Sequence, residues 1–293
     1  MIVVKLLGGL GNQMFQYAIG RALSLKHKTE LVIDDHFFEH NEDVFATKRD
    51  FELHHFKTVF QKASDESLKL FLNKSRFRKK TEQLFPFLEK YHVVLEKSHE
   101  FQPNVLQTKN NSYLTGYWQS EKYFHNIRTL LLSEFYLKNP INKVNANHIL
   151  NCQKKNTVSI HIRRGDYVNI TSNLSYHGVC SLKYYYSAIN YLKNNINEEL
   201  TLFVFTDDEH WVNENFKPDL PFEIICDNKG TDSFYDMHLM SICNHNIIAN
   251  SSFSWWGAWL NTHNDKIVIA PSKWFEVSNI NTMDVIPENW IKL

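Results

Sequence analysis

Thr157-Val158-Ser159-Ile160-His161-Ile162-Arg163-Arg164-Gly165-Asp166-Tyr167 carries an apolar run straight into two arginines, a glycine and an aspartate. As a strand it alternates, with Val158, Ile160 and Ile162 on one face and Ser159, His161 and Arg163 on the other. Arg164 opens the turn. Guanidinium groups are costly to bury unpaired, so two of them at the end of a core strand imply a buried acid or a bound anion. The anion is the favoured reading, because the planar guanidinium fork matches phosphate oxygens and the carboxyl ends of parallel strands hold ligands in α/β proteins. The plainer alternative pairs Arg163 with Asp166 inside the turn and leaves Arg164 to solvent.

Working outward, the alternation continues through the second half of the chain. Strands are expected at Thr201–Thr206, Phe222–Cys226, Asn246–Asn250 and Lys266–Ala270, and helices at Leu182–Lys193, Ser233–Asn244 and from Ser254. Strands alternating with helices predict a parallel sheet covered on both faces. Upstream, Ile2–Leu7 reads as a strand, Gly8-Gly9-Leu10-Gly11-Asn12-Gln13 as a turn, Met14–Lys26 as a helix and Glu30–Ile33 as a second strand. This β-α-β start invites a dinucleotide-binding reading, with Asp34 as the acidic residue downstream. Met14 stands where the third glycine of that fingerprint belongs, and the match is weak. Asn12 either caps the helix or presents an amide to a ligand. Tyr113–Ser120 reads as a strand entering an aromatic, amide-rich turn, followed by a helix over 121–136. The polar stretch Lys138–Lys155 is the expected boundary, giving domains 1–150 and 151–293 with a cleft between them as the default ligand site.

A chain of 293 residues, 43% hydrophobic, has enough apolar material for two cores. Its 32 basic and 32 acidic residues balance to zero, so no global field recruits nucleic acid and an anion site must be local. Cys152, Cys180, Cys226 and Cys243 are scattered, which argues against a zinc cluster or a disulfide framework and fits reduced cytoplasmic thiols. No run approaches the roughly 18 apolar residues of a membrane span, and no secretory leader is evident. The basic segment Lys69–Lys80 reads as a solvated face, or as a peripheral contact with an anionic membrane surface.

Two more strand ends in the second half carry chemistry. Thr206-Asp207-Asp208 closes one strand, and Asn250-Ser251-Ser252-Phe253-Ser254 leads into a helix, where serine hydroxyls and N–H groups can cradle phosphate beside Arg163 and Arg164. Asp236, on the apolar face of its helix, is either half of a capping box with Ser233 or a buried acid that bonds the two-donor edge of a guanine ring. There is no serine-hydrolase elbow, no His-Glu-x-x-His and no phosphate-binding P-loop. No Asp-x-Asp pair is present either, so the arginines would do a metal's work.

These motifs resemble those of glycosyltransferase family 11, the bacterial and animal α-1,2-fucosyltransferases. The resemblance rests on Gly8–Tyr17, His161–Tyr167, Phe205–Asp208 with Trp211, and Ala249–Trp256, in family order across nearly the whole chain. It matches least over about 36–110, where acceptor choice would be made. It implies a GT-B-like α/β architecture of two Rossmann-like domains, the first on the acceptor side and the second binding the donor. The implied reaction transfers fucose with inversion from GDP-β-L-fucose to the 2-hydroxyl of a terminal β-galactoside, with no metal and no cofactor. Carried over by motif, Arg163 and Arg164 would grip the diphosphate and His161 and Asp236 would lie near the guanine and ribose. Ser251, Ser252 and the backbone at Phe253 would close on the phosphates, with Ser254 and Asp166 in the same set, and Asn12 would act from the first domain. Two rivals remain from other classes: an NAD(P)-dependent oxidoreductase built on Gly9-Leu10-Gly11, and a sugar-binding module using Tyr117, Trp118, Trp255 and Trp256. A different GDP-sugar or linkage also stays open.

Overall fold

The computed structural model describes residues 1–39, 49–73, 89–165, 168, 170–277 and 280–293. The chain divides into two compact units, Met1–Lys138 and Asn139–Leu293. The division falls at the start of the polar stretch rather than at 150. The helix Lys143–Cys152 lies in the second unit, where Asn145 bonds Asn228 at 2.8 Å.

In the first unit the strands β1 (Ile2–Lys5), β2 (Leu31–Asp34), β3 (Gln61–Lys62), β4 (His92–Leu95) and β5 (Ser112–Thr115) form one parallel sheet in the order β3-β2-β1-β5-β4. β1 and β2 are buried almost throughout, as parallel strands covered on both faces must be. Helix Leu10–Lys26 starts four residues earlier than its apolar periodicity suggests, because Gly8, at φ +80, completes the turn and Gly9 is already the N-cap. The amides near its start have structural duties. Gln13 donates to the carbonyls of Gly8 and Asp50 and accepts from Glu52 N–H, while Gln16 accepts from Leu7 N–H and donates to Gly116 O at 3.0 Å. The helix end receives a carboxylate from within the unit, since Leu10 N–H donates to Glu52 at 3.1 Å. The helix expected over 121–136 is two 3₁₀ turns, Glu121–Tyr123 and His125–Ile127, followed by a short α-helix, Arg128–Glu134.

The second unit holds β6 (Thr157–Ile162), β7 (Thr201–Thr206), β8 (Phe222–Ile225), β9 (His245–Ile247), β10 (Val268–Ala270) and β11 (Ile291–Lys292), parallel and ordered β11-β10-β9-β6-β7-β8. The alternation read in β6 holds. Val158, Ile160 and Ile162 pack with Tyr185, Ala188, Ile189 and Leu192 of helix Leu182–Asn195. The opposite layer contains Phe203, Phe205, Leu239 and Met240 around helix Phe234–Ile242. Helix Ser252–Leu260 crosses that helix at Gly257, where a Cβ would stand 2.8 Å from Met240 Cβ. Trp255 and Trp256 are fully buried, 5.0 Å apart in an edge contact, so they are core and not a sugar platform.

No helix of the described residues is long and apolar enough to cross a membrane. Of the basic segment, Lys69 is exposed on helix Asp65–Leu72, while Lys74, Arg76, Arg78, Lys79 and Lys80 lie outside the described residues.

The helix–sheet contact of the first unit leaves no room at Gly20, where a Cβ would stand 2.4 Å from Val4 Cγ2 and 2.7 Å from Leu31 Cδ1. Gly20→Ala is expected to cost about 1–3 kcal/mol through overpacking, read as a lower urea midpoint with an unchanged slope.

Candidate active site

In both sheets, stretches singled out in the sequence sit at the point where the strand order reverses. The second sheet runs β6, β7, β8 to one side and then returns to place β9 on the other side of β6. Crevices outside the carboxyl ends of such a strand pair are where open α/β sheets bind ligands. The turn after β6 carries Arg163 and Arg164, and the turn after β9 carries Asn250 and Ser251. The two turns meet where the rings of His161 and Phe253 lie 5.8 Å apart.

The arginines are paired, and with different acids. Arg163 Nη1 lies 2.7 Å from Asp207 Oδ2, and Arg164 Nε donates to Asp208 Oδ2 at 3.1 Å. Asp207 also accepts the Arg164 backbone N–H at 2.8 Å. The Arg164 guanidinium lies over the Trp211 ring, 3.9 Å from its centroid. Asp208 in turn caps helix Glu209–Asn215 by accepting from Trp211 N–H, so acid, ring and guanidinium form one unit. Neither arginine is simply a solvated turn residue. Asp166, the proposed internal partner and donor-site residue, lies outside the described residues. The Arg164 pair engages Nε, so its two-nitrogen outer edge is not part of that contact. Gly165 is required here, because a Cβ would fall 2.4 Å from Asp207 Oδ2.

His161 is buried, with burial and then the Arg163 charge pushing its pKa down to about 3, so the ring is neutral. Its carbonyl accepts from Tyr185 O–H at 2.9 Å, and its Nδ1 has no hydrogen-bond partner. Asp236 forms no capping box, since the Ser233 side chain makes no cap bond. Its carboxylate accepts from Asn228 at 2.7 Å, and Asn228 and Asn145 exchange amide hydrogen bonds. Burial pushes the Asp236 carboxyl up to about 7 against that hydrogen bond.

The three serines divide. Ser251 is the N-cap of helix Ser252–Leu260 without a side-chain cap bond, and Ser252 and Phe253 are half-buried in the first turn. Ser254 is 1% exposed and its hydroxyl turns back to Ser251 O at 3.4 Å, so that side chain is internal. Asn250, which sequence reading left without a role, holds the rim together by donating to His177 O at 2.8 Å and Trp274 O at 3.3 Å. Its signal was only its place at the end of a strand. The acids Asp207 and Asp208 were more legible, since they end the strand that follows β6.

In the first unit, the sheet order reverses between β1 and β5. Asn12 lies there and accepts from Gln119 Nε2 at 2.8 Å; capping falls to Gly9, so Asn12 is not the N-cap. Asp34 and Asp35, at the end of β2, are committed within the unit: Asp34 to Tyr113 O–H at 2.6 Å and His36 at 2.8 Å, Asp35 to Lys62 at 2.6 Å. Among the described residues no group of three His, Cys, Asp or Glu side chains could hold a metal ion.

The architecture is a GT-B-like α/β fold, shared at TM-score 0.51 with a crystal structure of POFUT1 in complex with GDP, at 12% identity over 91% of this chain and 97% of that one. The sequence profile of glycosyl transferase family 11 matches residues 1–293, and the chain belongs to that family. It is therefore a glycosyltransferase. It is 37% identical to the Escherichia coli O-antigen biosynthesis glycosyltransferase WbnK, over 98% of both chains. It is 36% identical to an Escherichia coli alpha-1,2-colitosyltransferase, over 100% of this chain and 99% of the relative.

The two perturbed groups pull stability in opposite directions with pH. An unfolded aspartate ionises near pH 4 whereas Asp236 holds its proton to about 7, so its contribution is present at low pH and lost as pH rises between those values. Neutral burial of His161 contributes above about pH 6.5 and is lost as pH falls below it. Asp236→Asn is expected to raise Tm relative to the parent progressively from pH 4.5 to 7.5, measured by scanning calorimetry.

Proposed function

We propose that this glycosyltransferase moves L-fucose from GDP-β-L-fucose, with inversion and without a metal, to the 2-hydroxyl of a terminal β-galactoside. The observation that carries the reading is the paired-arginine turn beside the serine turn at the β6–β9 crevice, in a chain of this family. Arg163 and Arg164 bind the diphosphate. Their acids hold them in place before the donor arrives, so little reorganisation is needed as charge develops. Ser251, Ser252 and the N–H groups of the first turn at Phe253 complete the phosphate site, where the helix supplies no i−4 partners. The neutral His161 ring and the Asp236 carboxyl serve the nucleoside end, and the unpartnered His161 Nδ1 is an atom that a ligand would satisfy.

In the reaction, the C1–oxygen bond to the β-phosphate breaks as the acceptor hydroxyl approaches the opposite face of C1. The sugar gains oxocarbenium character and negative charge grows on GDP, where the arginines stabilise it more in the transition state than in the ground state. The acceptor oxygen forms the new bond to C1, and its proton leaves late, to solvent water. Asn12 acts on the acceptor side.

A second donor reading, GDP-colitose, is favoured by the 36% identity to the alpha-1,2-colitosyltransferase. Thermal shift with GDP, GDP-fucose, NAD and NADP, followed by linkage analysis of the product made with EDTA present, tests the reading. Selective stabilisation by GDP and an α-1,2-linked fucoside support it; stabilisation by NAD or NADP alone, or a need for added metal, overturns it. Arg164→Ala is expected to lose about 3 kcal/mol of transition-state stabilisation, roughly a hundredfold in kcat, while remaining folded by circular dichroism. Arg164→Lys should rescue little, since lysine has neither the Nε contact to Asp208 nor the flat face that lies over Trp211.

A further inference from the structure

The first unit has its own reversal point, and it contains polar atoms that none of the described residues satisfies. The loop after β1 and the turn after β5 are tied together by Gln16, which accepts from Leu7 N–H and donates to Gly116 O, both at 3.0 Å. Asn12 and Gln119 bond across them at 2.8 Å. Gln119 is 8% exposed, and its other amide atom, Oε1, has no partner. Trp118 is fully buried, and its indole N–H likewise has none. A buried polar group without a partner costs about 1–3 kcal/mol, so two adjacent residues with such atoms call for a compensating ligand.

The turn is also held in an uncommon shape. Trp118 has φ +58, a left-handed conformation that a bulky residue rarely adopts. Glu96 holds it there, one carboxylate oxygen accepting from Tyr117 N–H at 2.6 Å and the other from Trp118 N–H at 2.9 Å. A side chain at Gly116 would collide with Glu96, since a Cβ there would lie 2.3 Å from Glu96 Cβ. With both Glu96 oxygens engaged by the backbone, the Gly116–Gln119 turn and the Asn12 side chain offer neutral groups, two amides and an indole N–H, while the Arg49 guanidinium lies further along the loop, against Gly9. Neutral donors and acceptors beside an exposed Tyr117 ring match the hydroxyl groups and apolar face of an uncharged sugar, and not an anion.

We propose that the Gly8–Asn12 loop and the Gly116–Gln119 turn bind the acceptor sugar, with Gln119 a specificity-determining residue for an acceptor hydroxyl and Glu96 a positioning residue for the turn. This rests on the glycosyl-transfer reading and adds its acceptor half. The unpartnered Gln119 and Trp118 atoms are closed to water in this conformation, so the sugar reaches them when these side chains turn, while Glu96 keeps the backbone of the turn in place.

Steady-state kinetics with GDP-fucose and lactose test it on Gln119→Leu, Glu96→Gln and Trp118→Phe, with the GDP-induced Tm shift as a check on the donor unit. Gln119→Leu should raise the lactose KM about tenfold, the equivalent of ~1.4 kcal/mol, and leave the GDP-fucose KM and the GDP shift within about twofold. Glu96→Gln, which keeps only one acceptor oxygen, should show the same split. A merely structural role would lower Tm without separating the two KM values. An unchanged lactose KM in Gln119→Leu, in an enzyme that still transfers fucose, overturns this inference and leaves the transferase reading standing. If Gln119→Leu fails to fold, Trp118→Phe decides in the same way, since it removes the indole N–H and keeps an aromatic ring. A parent protein that neither responds to GDP nor transfers fucose takes both readings down.

Discussion

Two guanidinium groups at the end of a buried strand need partners, and the second unit is organised around that requirement. Arg163 and Arg164 follow a strand whose six residues are all buried, so both arginines emerge at the edge of the core. Asp207 and Asp208, ending the neighbouring strand, meet them at 2.7 and 3.1 Å. The pairs are partly exposed, at 18–34% for the four side chains, so their direct worth to stability is modest. Their consequence is positional. A guanidinium held by one edge and stacked on an indole has lost its rotamer freedom before any ligand arrives, and the ordering cost is met during folding.

The same logic recurs on a neutral scale in the first unit. There Glu96 spends both oxygens on two backbone N–H groups, and Gln16 and the Asn12–Gln119 pair tie two loops together. One unit thus presents charged donors suited to an anion, and the other presents amides suited to hydroxyls. In both, the residues lie where the sheet order reverses, because neighbouring crossovers leave in opposite directions there and open a crevice. The division of chemistry follows from which residue types the strand ends deliver.

Much of this was legible in the chain. The period-2 alternation of β6 predicted its two faces correctly, and the alternation of strands and helices predicted parallel sheets. The motif series identified the family. Boundaries were less readable: helix Leu10–Lys26 and helix Ser252–Leu260 both start earlier than their apolar periodicity, since glycine and serine turns carry no periodic signal. The 121–136 stretch looked helical but breaks into 3₁₀ turns, where Tyr123 and Phe124 are buried by tertiary packing. The aromatic pairs Tyr117–Trp118 and Trp255–Trp256 could be read as sugar platforms, yet three of the four rings are fully buried and only Tyr117 is exposed.

By itself, then, the sequence determined the fold class, the family and the residue types brought to each strand end, because these depend on local period and motif. Only the tertiary structure decided which acid meets which arginine. Those pairs join residues 44 positions apart and depend on the register that sets Ile162 beside Thr206. A one-residue slip would send the carboxylates to the other face. The orphaned Gln119 and Trp118 atoms were likewise invisible in the chain, since being unsatisfied is a property of surroundings that come from 22 to 107 residues away.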